Sequence, residues 1–378
     1  MGFDSVSSAD GVYAPSADII RVSENGSHAY DIVLEKSLDS LPGCMKQALS
    51  GCKKVLLVSD SSVAPLYMDK VREVISGAGF ETDTFVFPAG EENKTLDTVR
   101  DIYRTLADRR FQRGDVLAAL GGGVTGDITG FASATYLRGV RFVQIPTTVL
   151  ACCDSSIGGK TGVDFEGYKN YVGAFHMPSL VYMDMEFMET LDVRQYRAGL
   201  SEALKSALIR DRDMYRMFLE KTEQINQKDP HMLGEVIRRS CLIKRQVVEE
   251  DPREKGVRAI LNFGHTLGHS IEKLMGFSML HGECVAVGCV AASYISMKRD
   301  MISSAEYEEI KELFRALSLP VAVPDELDPS DIVATAHSDK KASGSRIRFI
   351  LLKGVGNAVI DDTVSDSEMQ EALEGLRV

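Results

Sequence analysis

Short apolar runs alternate with amphipathic stretches between about residue 30 and residue 180. Apolar runs without polar alternation, joined by helices, are typical of a parallel sheet that is covered on both faces. The predicted strands are residues 54–59, 82–87, 116–120 and 141–146, and the predicted helices between them are residues 63–77 and 96–109. The pattern therefore predicts an α/β domain with a parallel sheet over residues 1–182.

The apolar periodicity changes after about residue 183, where β-rich runs largely disappear. Helical spacing dominates, as in residues 230–248 and 305–316, and the helices are interrupted at Asp251-Pro252 and Leu319-Pro320. Residues 346–352 are the one run that still resembles a strand. We therefore expect a second, mostly α-helical domain over residues 183–378.

Composition and charge narrow the class of protein. A chain of 378 residues is long enough for about two domains, and its composition is that of a globular protein. The net charge of −12 argues against a general binder of nucleic acid or anionic membranes. No apolar run is long enough to span a bilayer, the first 18 residues do not resemble a signal peptide, and the seven cysteines form no CxxC pair. We expect a cytoplasmic protein with reduced thiols.

A glycine-rich segment follows the predicted strand at residues 116–120. Gly121, Gly123 and Gly126 fit the pattern GxGxxG ahead of a predicted helix, where backbone amides can approach a phosphate. A tight turn without a ligand is the alternative. An ordinary dinucleotide fold places an acidic residue about 20 positions later, whereas here Thr147 and Thr148 occupy the matching region. A phosphate-binding loop of a non-standard nucleotide site is therefore the favoured interpretation.

Three charged residues near other strand ends are ambiguous when each is taken alone. Asp60 follows the first strong strand and could accept hydrogen bonds from a ribose, or it could cap the next helix. Glu91 and Lys94, after Pro88-Ala89-Gly90, could likewise belong to a helix start or contact a nucleoside.

Histidines and one glutamate in the second half form a candidate metal site. His265 and His269 lie at i and i+4 on one predicted helical face, and His281 follows twelve residues later. Glu202 lies upstream, with Lys205 on the same face of its helix. One carboxylate and two imidazoles are a common catalytic zinc set. Spacing alone does not decide which two histidines bind the metal, and helix-packing histidines are the alternative.

Basic and polar residues outside these motifs would suit a substrate that bears both phosphate and carboxylate groups. Any one of them could instead be a solvated surface charge. They are Arg138, Lys160 and Lys169 with Asn170 in the first half, and Lys244, Arg258, Lys340 and Lys341 in the second.

Five segments together resemble the 3-dehydroquinate synthase family of sugar phosphate cyclases. They are GGGVTGDITG at 121–130, DSSIGGKTGVD at 154–164, KNYVGAF at 169–175, LNFGHTLGHSIE at 261–272 and HGE at 281–283. The resemblance runs in order from about residue 30 to residue 360. It implies a carbon–oxygen lyase of the shikimate pathway that uses NAD and zinc, and that is usually a homodimer. Cobalt can replace zinc at nitrogen and oxygen donors of this kind.

The resemblance also implies the reaction. The substrate would be 3-deoxy-D-arabino-heptulosonate 7-phosphate, and the products 3-dehydroquinate and inorganic phosphate. NAD would oxidise the substrate transiently, phosphate would be eliminated, the hydride would return, and an intramolecular aldol reaction would close the ring. The coenzyme would thus be regenerated in each turnover.

The family pattern assigns roles to individual residues. It places the metal ligands on Glu202, His265 and His281. It places nucleotide contacts on Asp60, Glu91, Lys94, Gly122, Gly123, Asp127, Thr147, Thr148, Lys160, Lys169 and Asn170. It places substrate contacts on Asp154, Lys160, Asn170, Lys205, Lys244, Arg258, Asn262, His269 and Lys341, and the residue matching Arg138 reaches the site of the partner subunit.

Three other functions compete with this one. A related cyclase could act on glucose 6-phosphate or sedoheptulose 7-phosphate, but Arg258, Lys244 and Asn262 favour a substrate with a carboxylate. A metal-dependent polyol dehydrogenase would release NADH, and residues 154–164 argue against it. A non-catalytic nucleotide-binding protein would have no need of the Glu202, His265 and His281 set.

Overall fold

The structure is a computed structural model that describes residues 18–276, 278–342 and 347–377, with the side chains of residues 339–342 outside that description. The chain divides into two compact units, one ending at Leu191 and the other beginning at Asp192. The amino-terminal segment, which does not resemble a signal peptide in sequence, lies outside the described residues up to position 17.

The first unit contains nine strands and four α-helices among its described residues. The strands are β1 Asp18–Glu24, β2 Ser27–Glu35, β3 Lys54–Asp60, β4 Glu81–Phe87, β5 Val116–Gly121, β6 Arg141–Pro146, β7 Lys160–Phe165, β8 Tyr168–Phe175 and β9 Leu180–Asp184. The helices are α1 Leu41–Ala48, α2 Ala64–Gly77, α3 Leu96–Asp108 and α4 Gly123–Thr135. Short 3₁₀ turns cover Glu91–Asn93, Tyr136–Arg138 and Met185–Met188, and a π-helix covers Ala151–Ser155.

Seven of these strands form one sheet in the order β1-β2-β9-β6-β5-β3-β4. All pairs are parallel except β1 with β2, which are antiparallel at the edge. The chain moves outward from β3 to β4 and then returns to place β5 and β6 on the other side of β3. Ligands of open α/β sheets bind at such a switch point, beyond the carboxyl ends of the strands.

The central strands are apolar because both faces of the sheet are covered. Every residue of β5 and β9 is buried, and so are the interior residues of β3. Leu56, Val58 and Leu117 on one face pack in a cluster with Ile102 and Phe131 of α3 and α4. Burial of this kind is the main source of stability in a parallel sheet, and it fixes the positions of the strand ends.

The second unit is mostly helical, with eight α-helices and one short hairpin in its described residues. The helices are α5 Val193–Arg210, α6 Arg212–Asn226, α7 Pro230–Glu250, α8 His265–Leu274, α9 His281–Lys298, α10 Ser304–Ala316, α11 Pro329–Ala342 and α12 Asp366–Glu374. The hairpin pairs β10 Phe349–Leu352 with β11 Ala358–Asp361, and a 3₁₀ segment covers Val257–Asn262. The predicted fold class, a parallel-sheet domain and a mostly helical domain, is confirmed.

Several elements were not predicted. The strands β1, β2 and β9 and the hairpin of β7 and β8 are absent from the expected pattern, and β11 accompanies the one strand expected near the end. That strand was expected from residue 346, which lies outside the described residues, and β10 begins at Phe349. No helix among the described residues is both long and apolar enough to cross a membrane.

Candidate nucleotide and metal sites

The glycine-rich segment forms the junction between β5 and α4, as expected. Gly122 is the N-cap of α4 in an extended conformation, and Gly123 is its first residue. A Cβ atom on Gly121 would lie 2.5 Å from Thr125 Oγ1, and one on Gly126 would lie 2.7 Å from Gln144 Oε1. The glycines are therefore needed for close packing of the helix on the sheet, and they also leave the positive end of α4 open to an anion.

Asp60 links the end of β3 to the start of α4. Its Oδ1 accepts the backbone N–H groups of Ser62 and Val63 at 2.8 and 3.1 Å, and its Oδ2 accepts the hydroxyl of Thr125 at 3.0 Å. These are the bonds of a loop-capping carboxylate. They place Asp60 at the switch point of the sheet, beside the glycine junction.

Lys94 is the centre of a polar cluster, which we call the Lys94 cluster and which also contains Glu91, Asp127, Lys169 and Asn170. The Lys94 ammonium donates to Asp127 Oδ2 at 2.7 Å and to Asn170 Oδ1 at 2.5 Å. Glu91 Oε1 lies 3.8 Å from Lys94 Nζ and 3.3 Å from Lys169 Nζ.

The charge of Lys94 is held by its acidic neighbours. Lys94 is only 4% exposed, and burial alone would lower its pKa, but Asp127 and Glu91 raise it above the usual value. A lysine fixed in this way is a permanent cation at neutral pH. The structure thus brings together five residues that the sequence had left ambiguous or had linked only through the family pattern.

The remaining candidates of the first unit are placed as follows. Thr147 directly follows β6 and is buried, its N–H bonds to Gly121 O at 3.0 Å, and its hydroxyl has no hydrogen-bond partner among the described residues. Thr148 Oγ1 accepts the N–H of Ala151 at 3.1 Å and so supports the π-helix that carries Asp154. Lys160 is exposed at the start of β7.

Arg138 lies on an unusual stretch of backbone. Leu137, Arg138 and Gly139 all have positive φ angles, of 50°, 68° and 116°. Such conformations cost about 1–3 kcal/mol for each non-glycine residue and cluster at functional positions. Arg138 is exposed at this turn.

The candidate metal ligands converge inside the second unit. Glu202 on α5 is 1% exposed, and its Oε1 lies 3.7 Å from His265 Nε2 at the start of α8 and 3.5 Å from His281 Nε2 at the start of α9. Lys205 Nζ lies 2.5 Å from the other oxygen, Oε2. His269 is exposed, and its donor atom lies within 4.8 Å of those of His265 and His281.

The Nδ1 atoms of His265 and His281 both contact hydrogen-bond acceptors on the side away from Glu202. His265 Nδ1 lies 3.1 Å from the carbonyl oxygen of Phe263, and His281 Nδ1 lies 3.2 Å from Glu272 Oε2. A hydrogen on each Nδ1 satisfies these acceptors and directs Nε2 at Glu202 Oε1, so that in the neutral imidazole the Nε2 lone pair is available to a metal. This is how histidine ligands are oriented in metal sites.

The electrostatics of these residues follow from burial and from their mutual charges. Burial opposes the charge of Glu202, but Lys205 and the imidazoles outweigh it and hold the pKa of Glu202 well below its usual range. Burial and the charge of Lys205 also hold the pKa of His265 well below its usual value. Burial would lower the pKa of His281 too, but Glu202 and Glu272 raise it to about 10. Glu202 is therefore a carboxylate and His265 a neutral imidazole, which are the forms that bind metals, whereas His281 is protonated without a metal and releases that proton when a metal binds.

This donor set fits a tetrahedral divalent ion. Bonds of about 2.0–2.2 Å to zinc place two ligand atoms about 3.4 Å apart, close to the 3.5 and 3.7 Å observed. Glu202 Oε1 is buried and makes no hydrogen bond with the described residues. A buried carboxylate oxygen without a donor is costly unless something positive faces it, and a metal ion would do so.

A glycine beside His281 allows this convergence. A Cβ atom on Gly282 would lie 2.6 Å from the carbonyl carbon of Ala198 and 2.7 Å from Ser201 Oγ, and closer still to the Ala198 oxygen. Only a glycine lets the first turn of α9 touch α5 here, one helical turn before Glu202. The same kind of contact joins α9 to the Gly264 backbone at Gly288.

Three of the other candidates of the second unit, Lys244, Arg258 and Asn262, lie on elements that pack against α5. Lys244 is buried on α7, Arg258 is 1% exposed on the 3₁₀ segment, and both elements contact α5. Arg258 Nη1 donates to the carbonyl oxygen of Pro252 at 2.8 Å, and Asn262 Nδ2 donates to Glu254 Oε1 at 2.8 Å. The side chain of Lys341, on α11, lies outside the described residues.

Sequence reasoning missed the residues that hold these groups in place. Glu272 lies seven positions after His265, so helical spacing could have placed it on the same face. Asp251 was interpreted only as part of a helix break, yet its carboxylate accepts the backbone N–H groups of Lys255, Gly256 and Arg258. Three such bonds outweigh burial and lower the pKa of Asp251. No sequence pattern indicates that loop.

Comparison with known families decides the relationship. Residues 84–198 match the family described as 3-dehydroquinate synthase N-terminal, and residues 199–342 match 3-dehydroquinate synthase C-terminal. The chain belongs to the 3-dehydroquinate synthase family. Membership supports 3-dehydroquinate synthase activity in the shikimate pathway, which is the function that the sequence motifs predict.

Individual relatives agree with this membership. The 3-dehydroquinate synthase of Acetivibrio thermocellus is 42% identical over 342 residues, covering 90% of this chain and 94% of the relative. That of Symbiobacterium thermophilum is also 42% identical, over 356 residues that cover 94% and 99% of the two chains.

Solved structures extend the comparison to related cyclases. The 2-epi-5-epi-valiolone synthase of Streptomyces hygroscopicus, which holds NAD⁺ and Zn²⁺, has a TM-score of 0.86 at 30% identity and covers 94% of this chain and 99% of its own. A 2-deoxy-scyllo-inosose synthase with carbaglucose-6-phosphate, NAD⁺ and Co²⁺ has a TM-score of 0.85 at 26% identity, with the same coverage. The iron-containing alcohol dehydrogenase of Thermotoga maritima, at 16% identity and a TM-score of 0.64, shares the fold.

Proposed function

We propose that this protein is an NAD- and zinc-dependent 3-dehydroquinate synthase that converts 3-deoxy-D-arabino-heptulosonate 7-phosphate to 3-dehydroquinate and phosphate. The convergence of the Glu202 carboxylate with the Nε2 atoms of His265 and His281 carries the proposal. Cobalt fits the same nitrogen and oxygen donors. Bound NAD supplies a hydride acceptor, and the bound ion supplies a Lewis acid for the substrate oxygen.

The metal would be held by Glu202, His265 and His281. Phe263 and Glu272 fix the two imidazoles through Nδ1, so the Nε2 atoms need no reorientation before binding. Lys205 neutralises Glu202 from the opposite side and keeps the carboxylate ionised. His269, exposed beside them, is left to serve the substrate as a hydrogen-bonding group near its phosphate.

The nucleotide would be held by the first unit at the switch point of its sheet. The free backbone N–H groups and the positive dipole end at the start of α4 favour an anion there. Gly122 and Gly123, at this helix start, would therefore bind the pyrophosphate. Other proposed contacts are Asp60, Glu91, Lys94, Asp127, Thr147, Thr148, Lys160, Lys169 and Asn170. The shared bonds of the Lys94 cluster support this set, because they hold its polar ends in fixed positions.

The substrate would be held mainly by cationic and amide side chains. The proposed contacts are Arg138, Asp154, Lys160, Asn170, Lys205, Lys244, Arg258, Asn262, His269 and Lys341. Arg258 and Lys244 are buried cations, which suit a carboxylate or phosphate that has left water. When the carbon–oxygen bond to phosphate breaks, such cations stabilise the charge that collects on the leaving oxygen.

We further propose a cytoplasmic homodimer. Phe165, Tyr168, Tyr171 and Phe175 are 39–54% exposed on the hairpin of β7 and β8, an unusual concentration of aromatic surface. The exposed Arg138 could then reach a partner subunit. All seven cysteines are free thiols, which supports a reducing compartment.

The decisive experiment measures phosphate release by the purified, metal-loaded protein with NAD. The protein is offered the heptulosonate phosphate, glucose 6-phosphate and sedoheptulose 7-phosphate in parallel, and the His265→Ala variant is the control. We expect release from the heptulosonate phosphate alone. Release only from one of the other two sugar phosphates would replace this proposal with another cyclase activity.

The same preparation separates a cyclase from a polyol dehydrogenase. A cyclase regenerates NAD in each turnover, so absorbance by NADH should not accumulate while phosphate is released. Stoichiometric NADH formation from glycerol or a similar polyol, without phosphate release, would contradict the proposed reaction.

A further inference from the structure

The hairpin of β7 and β8 contains an irregularity that places two residues of the Lys94 cluster. Val163 pairs with Val172 and Phe165 pairs with Tyr168, so the three residues 169–171 of β8 lie opposite the single residue Asp164. This is a β-bulge, a feature that redirects side chains next to functional sites. Lys169 and Asn170 are inside the bulge.

Asp164 bonds to both sides of this irregularity. Its Oδ1 accepts the backbone N–H of Asn170 at 2.8 Å, and its own N–H donates to the carbonyl oxygen of Lys94 at 2.8 Å. Asp164 therefore ties the backbone of the bulge to the backbone that carries the central lysine. Neither bond is part of the regular ladder of the hairpin.

The carboxylate also stabilises an unfavourable backbone conformation. Asn170 has a φ of 52°, in the left-handed region, which asparagine tolerates better than most residues but which still needs support. In this conformation the Asn170 side chain bonds to Lys94 Nζ. Without the bond from Asp164, the bulge would be free to relax, and Asn170 would lose its fixed direction.

We propose that Asp164 is a positioning residue for the nucleotide, acting through the backbone of Asn170 and Lys94 without contacting the nucleotide itself. This inference rests on the proposed nucleotide site at the Lys94 cluster. Burial raises the pKa of the Asp164 carboxyl, whereas the Asn170 N–H and Lys94 oppose this effect and favour the charged form. Asp164 fills this role through the oxygen that accepts the Asn170 N–H, and not through its negative charge alone.

The test compares NAD affinity, measured by calorimetry on the full-length metal-loaded protein, across variants of residue 164. Asp164→Ala removes the acceptor, and we expect NAD to bind about 10- to 100-fold more weakly. Asp164→Asn keeps an acceptor oxygen and should remain within about threefold of the wild type. In phosphate-release assays the loss should appear mainly in KM for NAD, with kcat changed much less.

A matched control is Asp115→Ala in the same unit. Asp115 is similarly a carboxylate that accepts backbone N–H groups, those of Lys54 and Gln112, but it has no bond to the Lys94 cluster. We expect it to lower thermal stability and leave NAD affinity unchanged. Asp164→Val preserves the β-forming tendency of the strand and serves if the alanine variant does not fold.

A double-mutant cycle with Asn170→Ala tests the route of the effect. If Asp164 acts through Asn170, removing Asp164 from the Asn170→Ala protein should weaken NAD binding by less than about threefold. Wild-type NAD affinity in Asp164→Ala or Asp164→Val would overturn the inference. If Lys94→Ala and Asn170→Ala also bind NAD normally, the proposed nucleotide site fails together with it, whereas weakened binding in those two variants leaves the site standing.

Discussion

Replacing Gly282 by alanine should disturb the metal site without touching a ligand. The added Cβ would lie 2.6 Å from the carbonyl carbon of Ala198, whereas an ordinary contact begins near 3.4 Å. The first turn of α9 must therefore move away from α5 by at least about 0.8 Å. His281 is the preceding residue and moves with it, so its Nε2 would lie beyond its present 3.5 Å from Glu202 Oε1.

A displacement of this size matters because metal–ligand distances tolerate only about 0.2 Å. We expect Gly282→Ala to weaken zinc binding by at least about tenfold, and overpacking to cost about 1–3 kcal/mol of unfolding free energy. Zinc affinity is measured by competition with a chromophoric chelator, and stability by thermal unfolding of the metal-free protein.

Gly234→Ala on α7 is the matched control, because a Cβ there meets nothing within 4 Å. It should bind zinc normally and be stabilised by up to about 1 kcal/mol, since alanine is the better helix former. Wild-type zinc affinity in Gly282→Ala would refute the reasoning, because the close contact would then not determine the position of His281.

Three further predictions concern other parts of the chain. His265→Ala and His281→Ala should lose the metal while remaining folded, whereas His269→Ala should keep it and turn over more slowly; elemental analysis with circular dichroism distinguishes them, and loss of metal from His269→Ala would show that the ligands are assigned wrongly. Asp184 is fully buried, and burial raises its pKa to about 6 from an ordinary 3.8, so its ionisation destabilises the fold as the pH rises through that interval. Asp184→Asn should therefore raise the melting temperature at pH 7 and have little effect at pH 4, and an equal effect at both pH values would contradict this. Arg299 bonds to Glu368 and, with burial opposing, lowers the pKa of Glu368 to about 2, so this pair stabilises the fold fully above about pH 4.5 and progressively less as the pH falls toward 2. Arg299→Ala should cost about 1–2 kcal/mol at pH 6, with a difference that narrows in acid, while Arg315→Ala at an exposed pair should cost almost nothing.

The central part of the fold could be predicted because its signals are local. The strands β3 to β6 are apolar runs of the right length, and α2, α3, α7 and α10 have clear amphipathic periods, so their bounds agree with the structure within about two residues. Burial on both faces of the sheet makes this pattern strong. The glycine junction between β5 and α4 could also be predicted, because its signal is a local run of glycines.

The hairpin of β7 and β8 was missed because its sequence is rich in glycine and polar residues. A Cβ on Gly162 would lie 2.8 Å from Val172 O, and a Cβ on Gly173 would lie closer still to Thr161 O. These glycines therefore let two strands approach closely and do not mark a loop. The close approach can be recognised only when the pairing of β7 with β8 is known. The low β-propensity of glycine, taken alone, argues against strands in this segment.

The proposed metal ligands could be predicted as a set of residues, but their convergence in space could not. Helical spacing placed His265 and His269 on one face. The family pattern kept His265 but replaced His269 with His281 and added Glu202. What joins α5, α8 and α9 is contact between residues far apart in sequence, and a glycine at the crossing is recognisable only in three dimensions. Glu272 lies within the segment at 261–272, but its contact with His281, like the loop bonds of Asp251, is recognisable only in the folded chain.

The lysine beside the proposed metal-binding carboxylate has a consequence for how the protein is assembled. Because Lys205 lies 2.5 Å from Glu202 Oε2, it offsets much of the buried negative charge even when no ion faces Oε1. Zinc-finger domains, in contrast, are unfolded until they are loaded. We therefore expect this chain to fold without its metal and to acquire it afterwards.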